Sequence, residues 1–164
     1  MKPHQIHQKG FTLIELIVTV AIVAILASVA MPMLQMSVQR SKEIELRANL
    51  RQIREAIDAY KKAADEGRIK KSIEETGYPP NLEILVNGVL DEKDINKNKI
   101  KFLRKIPLDP MTTAADKNTE DLPNNWGLRS YVSEANDPEQ GEDVFDVYSL
   151  SEQVGINGIA YAKW

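Results

Sequence analysis

The sequence predicts an α+β protein: one long N-terminal α-helix, half of it suited to a membrane, packed against a small antiparallel β-sheet. Three observations carry this. Residues 16–39 hold no charged side chain; residues 40–66 place apolar side chains at helical spacing with no Gly or Pro to interrupt them. The last third of the 164-residue chain runs in β-rich stretches separated by Asn, Asp, Gly and Pro turns.

The first element is the apolar half of the helix. From Phe11 to Gln39 the only charge is Glu15. The 24 uncharged residues from Leu16 to Gln39 make about 36 Å of helix at ~1.5 Å per residue, enough for a bilayer core of about 30 Å. Lys2 and Lys9 precede it without any acidic residue, so the positive-inside rule keeps the first ten residues cytoplasmic and sends the chain after Gln39 across. A cleaved secretory signal has a shorter apolar core and then a small-x-small site; here the core is too long and no polar cleavage region follows it, so the segment is expected to be retained. Glu15 is the anomaly: a carboxylate in an apolar helix costs about 2–3 kcal/mol near the bilayer centre unless it snorkels to headgroups or meets a cation. Its own chain offers nothing nearer than Lys9. Pro32 removes a helix hydrogen bond late in the run and is either a tolerated membrane proline or a hinge.

The second half continues the helix. Leu46, Leu50, Ile53, Ile57, Tyr60 and Ala64 follow spacings of 4, 3, 4, 3 and 4, one apolar stripe of an amphipathic helix. Glu43–Arg47, Arg51–Glu55, Arg54–Asp58 and Asp58–Lys62 stand at i,i+4 and read as a solvated, charge-paired face. One helix of about 55 residues, near 80 Å long, would end around Gly67. Residues 67–164 must then cover the stripe.

In that head, Thr76–Leu82 forms a turn whose prolines, Pro79 and Pro80, hold Tyr78 out of helix. Residues 91–101 read as a solvated loop or short helix. Strands are expected around 128–133, 144–150 and 156–164, with turns at 136–141 and 154–158. Trp126, Tyr131, Tyr148, Tyr161 and Trp164 read as aromatics of the core and its lip.

Composition narrows the function. There is no cysteine, so no disulfide, thiolate metal site or cysteine nucleophile, and both histidines, His4 and His7, lie in the first seven residues. The net charge of −3 hides an asymmetry: residues 1–71 carry 12 basic and 7 acidic side chains, residues 72–164 carry 9 and 17. Without basic clusters interleaved with aromatics, nucleic acid is not the expected partner. Asp109, Asp143 and Asp146 are available as acid or base groups for a membrane-anchored periplasmic enzyme or binding module, but no nucleophile motif accompanies them.

Lys9-Gly10-Phe11-Thr12-Leu13-Ile14-Glu15, opening an uncharged helix, resembles the prepilin signature of type IV pilins and type II secretion pseudopilins. Further along, Tyr78-Pro79, Ile106-Pro107-Leu108-Asp109-Pro110, Trp126-Gly127 with Tyr131, Asp146-Val147-Tyr148-Ser149 and Trp164 follow in the order of landmarks in major pseudopilins of type II secretion. The resemblance implies a pilin-like fold, with 1–10 as a leader, 11–39 the transmembrane half of the helix, 40–66 its amphipathic periplasmic half and 67–164 the head. It implies cleavage between Gly10 and Phe11 by a prepilin peptidase, N-methylation of Phe11, and pairing of Glu15 with the new amino group of Phe11 on a neighbouring subunit. It also implies self-assembly with minor pseudopilins into a periplasmic filament that drives protein export from the inner membrane. The further partners would be a platform protein, an assembly ATPase and a secretin. A type IV pilin, major or minor, is the alternative; many pilins carry a C-terminal disulfide loop that this chain lacks.

Two departures from the family pattern stand out. Residues 111–125 intervene between Asp-Pro and Trp-Gly. The family's C-terminal loop holds Ca²⁺ through aspartates, whereas residues 151–158 offer only Glu152, and calcium takes 6–8 oxygen ligands, several from carboxylates. The expectation is no bound cofactor, with Asp143, Asp146 and Glu152 as the fallback calcium ligands.

Overall fold

The computed structural model describes residues 10–112 and 126–164. The first nine residues of the expected leader, and all but the first two residues of the 111–125 insertion, lie outside the described residues. The chain divides at Gln39/Arg40 into two compact units. Helix α1 (Leu13–Asp65) contributes its first part to one and its second part to the other.

In the first unit, α1 starts with a reciprocal cap. The Thr12 N–H and hydroxyl both donate to Glu15 Oε2 at 2.9 Å, and the Glu15 N–H donates to Thr12 Oγ1 at 3.3 Å, which satisfies otherwise orphaned groups of the first turn. Helix α1 contains an 18-residue window of mean hydropathy 2.7, long and apolar enough to cross a membrane, none of it buried. The helix is unbroken through Pro32, whose missing N–H leaves the Ser28 carbonyl without its usual donor.

In the second unit, the stripe is where the spacing put it. Leu46, Leu50, Ile53, Ile57, Tyr60 and Ala64 are all buried, each large apolar side chain stabilising the fold by roughly 1.5–3 kcal/mol. The helix stops through its C-terminal glycine: Gly67 has φ +71°, its N–H reaches the Ala64 carbonyl at 3.0 Å, and the Arg68 N–H reaches the Ala63 carbonyl at 2.9 Å, the paired bonds of a Schellman end. Beyond it, Arg68 turns back on Asp91, with Nη2 to Oδ2 at 2.6 Å. The guanidinium hydrogen bonds hold the Asp91 carboxyl below its ordinary range, and Asp91 in turn raises Arg68.

The cover over the stripe consists of short elements. Helix α2 (Glu83–Asn87) inserts Leu85, whose carbonyl accepts from the N–H groups of Phe102 and Leu103. Strands β1 (Val89–Leu90) and β2 (Lys99–Ile100) pair antiparallel, as do β3 (Trp126–Arg129) and β4 (Asp146–Ser149). The expected sheet is thus two two-stranded ladders among the described residues, and the polar 91–101 stretch is the β1–β2 connection with β2 at its end. Gly127 faces Tyr148 in the β3–β4 register; a Cβ there would lie 2.3 Å from the Tyr148 ring, so the Trp-Gly pair lets a tyrosine lie flat on the neighbouring strand.

The third expected strand, 156–164, does not form. Residues 154–160 close a turn through the bridge Val154↔Ala160 and the bond from the Gly158 N–H to the Gly155 carbonyl, and Tyr161–Lys163 is a 3-10 helix. Two glycines within this turn favour a tight reversal over a ladder. The Tyr161 ring, fully buried, packs edge-on against Trp164 at 5.1 Å.

Candidate functional site

The sequence-predicted site at the start of α1 is open. A Cβ added at Gly10 would meet no atom within 4 Å, and Phe11, Leu13, Ile14 and Leu16 are exposed. A glycine on the N-terminal side of the Gly10–Phe11 bond carries no side chain to obstruct approach to it. Glu15 lies one turn in, with its carboxylate turned back onto Thr12 rather than left bare. No Lys or Arg occurs between Gly10 and Gln39, so any cation for Glu15 must come from elsewhere. A free amino group on Phe11 of another copy is the chemistry that would compete with the Thr12 donors.

The fallback calcium ligands are not brought together. Asp146 accepts from Arg54 Nε at 2.7 Å and from Arg129 Nη2 at 3.2 Å. Asp143 accepts from the Thr76 hydroxyl and from the Tyr131 N–H. Glu152 is exposed on the following loop. Among the described residues no group of three or more such side chains could hold a metal ion. A carboxylate already neutralised by two guanidiniums is a poor cation ligand, so Asp146 as placed does not fit calcium. Asp109, the other candidate acid or base, is buried and accepts from Ser149 Oγ at 2.5 Å and the Met111 N–H at 2.7 Å; it braces β4 against the Asp-Pro turn.

What sequence reasoning missed is how the C-terminal segment is fastened to α1. Glu43 does not pair with Arg47. It is buried, at 5% exposure, and its Oε1 accepts from the Ile156 N–H at 2.7 Å and the Tyr161 hydroxyl at 3.0 Å. Arg47 lies over the Trp164 ring at 4.2 Å, and Arg54 Nη2 donates to the carbonyls of Val147 and Trp164, both at 3.1 Å. Of the predicted i,i+4 pairs, two are thus replaced by long-range contacts; among the described residues the helix pair that forms is Lys61–Asp65 at 2.6 Å. The signal for Glu43 was present: it stands three residues before Leu46, on the backward extension of the apolar stripe, where a charge needs a buried partner.

Residues 6–31 match the prokaryotic N-terminal methylation motif. Over 107 residues the chain is 32% identical to type II secretion system core protein G of Pseudomonas aeruginosa, covering 63% of this chain and 68% of that protein. The protein of the same name from Escherichia coli is 28% identical over 107 residues, 63% and 66% of the two chains. Type IV major fimbrial protein FimA of Dichelobacter nodosus is 43% identical over 61 residues, 37% of this chain and 39% of that one. No solved structure matches. A methylation motif at the start of an apolar helix, a head folded on that helix's second half and a match over two thirds of a core protein G together place the chain: it belongs to the type II secretion core protein G family, the major pseudopilins.

Proposed function

We propose that this chain is a structural subunit of a type II secretion pseudopilus, cut between Gly10 and Phe11 by a prepilin peptidase, N-methylated on Phe11, and polymerised from the inner membrane to drive protein export. The observation that carries this reading is the open Gly10–Phe11 junction four residues before a carboxylate that has no cation on its own apolar segment. Cleavage creates the missing cation as an amino group. In a bundle of apolar helices, pairing that amine with Glu15 of a neighbour offsets the desolvation of both charges and fixes the axial register of successive subunits. Exchanging lipid contacts for helix contacts is otherwise nearly neutral, so the ion pair supplies direction.

In this reading the first ten residues stay cytoplasmic, residues 11–39 anchor the subunit and residues 40–164 stand in the periplasm. Pro32 serves as the place where the helix loosens during packing. A platform protein and an assembly ATPase extract the subunit, minor pseudopilins cap the filament, and a secretin receives the cargo. The C-terminal turn is held by Glu43, Arg47 and Arg54. The relatives carry the names of structural subunits, which supports a role without catalysis. The fimbrial relatives favour a second reading, a type IV pilin, and the place of the filament separates the two: between the membranes for a pseudopilus, on the cell surface for a pilus.

Mass spectrometry of membrane-extracted protein tests the processing step. The expected chain begins at Phe11 and is one methyl group heavier; a chain still beginning at Met1, from cells with a prepilin peptidase, would overturn it.

A further inference from the structure

The second unit carries two charged surfaces that its own fold leaves unsatisfied. The first is a groove of about 480 Å³ between α1 and the C-terminal segment, with Arg47, Arg51, Lys163, Asn157, Ile159 and Trp164 among its walls. Arg51 and Lys163 are exposed and make no ion pair among the described residues, and the guanidinium of Arg47 lies over the Trp164 ring. The floor is partly apolar, with Ile159 at 48% exposure. Glu55 and Asp58 line the same groove, further along α1, so on the helix wall the positive side chains Arg47 and Arg51 precede the acidic ones.

The second surface is the loop between β3 and β4. From Ser130 to Ala162 the chain has seven acidic side chains and no Lys or Arg. Four of them, Glu134, Asp137, Glu139 and Glu142, are exposed on residues 134–142 and make no ion pair among the described residues. Beside them Val132 is 86% and Tyr131 56% exposed. This is an acidic segment with an apolar shoulder; the groove is a basic channel with an apolar floor.

We propose that the Arg47–Arg51–Lys163 groove receives the acidic 131–142 loop of a second copy of this chain. The proposal rests on the filament reading, in which every head has neighbours related by the same screw operation, so that a groove on one copy and a loop on the next make a heterologous contact that repeats without closing. A single exposed ion pair contributes little. Here several charges of one sign face several of the other over apolar contact, and the contact recurs at every subunit. Complementary fields of this kind set register and exclude wrong neighbours more than they add affinity. The uneven charge of the chain, a basic first half and an acidic second half, thereby becomes the rule for which face meets which.

The test uses the full-length protein in cells carrying the assembly machinery, and the absence of native cysteine makes it clean. Two differently tagged chains are co-produced, one with Asn157→Cys on the groove and one with Ala135→Cys on the loop, so that a disulfide between them can only join two copies. The expected result is a mixed-tag dimer, reduced about tenfold by Arg51→Glu or by Asp137→Lys and restored when one carries the first and its partner the second, and weakened as salt shortens the reach of the charges. Wild-type filaments are scored separately by electron microscopy of sheared material. Filaments without the mixed-tag dimer overturn the groove contact and leave the filament reading standing. The dimer without filaments supports the contact and overturns the filament reading; neither product overturns both. A dimer unaffected by the charge reversals also overturns the proposal, as does a thiol at position 157 that is trapped instead on another protein or shielded by anionic vesicles.

Discussion

Replacing Glu43 by Ala removes the acceptor shared by the Ile156 N–H and the Tyr161 hydroxyl. The Tyr161 hydroxyl is buried and the Ile156 N–H part-buried; losing this acceptor costs about 1–3 kcal/mol at each, and the carboxylate no longer has to be desolvated, so the net loss is about 3 kcal/mol. Tyr161→Phe removes one donor while the ring keeps its packing, at about 1–2 kcal/mol. Because the phenylalanine has no hydroxyl to strand, the double variant loses less than the sum, by about 1 kcal/mol. The assay is urea unfolding of the full chain in detergent, followed through Trp126 and Trp164. With a slope of about 1–3 kcal/mol per molar urea, Glu43→Ala moves the midpoint down by about 1–3 M. Glu45→Ala, an exposed neighbour, serves as the control and leaves it in place. A Glu43→Ala protein within about 0.5 kcal/mol of the parent, or strictly additive losses in the double variant, would refute the account of Glu43 as the fastening of the C-terminal turn.

Glu15→Ala is expected to insert and be cleaved normally but to polymerise poorly, read by filament yield against processed subunit; normal yield would remove the pairing argument. Asp91, held below its ordinary pKa by Arg68, contributes stability that is complete above the unfolded-state value of about 4 and is lost as pH falls through the lower folded value. Asp91→Asn is therefore expected to flatten that acid-side slope in a pH series of unfolding midpoints, and an unchanged slope would clear Asp91. Chelation with EGTA, or addition of calcium, is expected to leave the thermal midpoint unchanged; a rise of several degrees with calcium would mean that oxygens other than the Arg-paired Asp146 assemble an ion site.

The helix was legible because its signals are local and redundant. An uncharged run, then a 3–4 repeat of apolar residues, then a glycine leave one solution, and Leu46 through Ala64 are buried as the repeat requires. The head was legible only as landmarks. Its strands are two to four residues long, too short for alternation to show, and 156–164 looked extended because a turn fastened from outside leaves no periodic trace of its own. The i,i+4 pairs failed for a related reason: a carboxylate or guanidinium beside the stripe takes a buried long-range partner in preference to an exposed neighbour, and the sequence shows the neighbour but not the partner. At the start of α1, the Thr12–Glu15 cap shares its residues with the prepilin signature, so spacing alone could not tell a local cap from an assembly carboxylate.

The bond from Glu43 to Ile156 spans 113 residues and that to Tyr161 spans 118. A ribosome delivers the glutamate long before either donor, so throughout synthesis the striped helix waits unclothed while the rest of the polypeptide follows. Closing so wide a loop is slow compared with winding the helix itself. Residues 156–161 therefore act as a clasp that shuts late: until they arrive, the subunit offers its sticky side to every bystander, and a chain cut short before them would never be fastened.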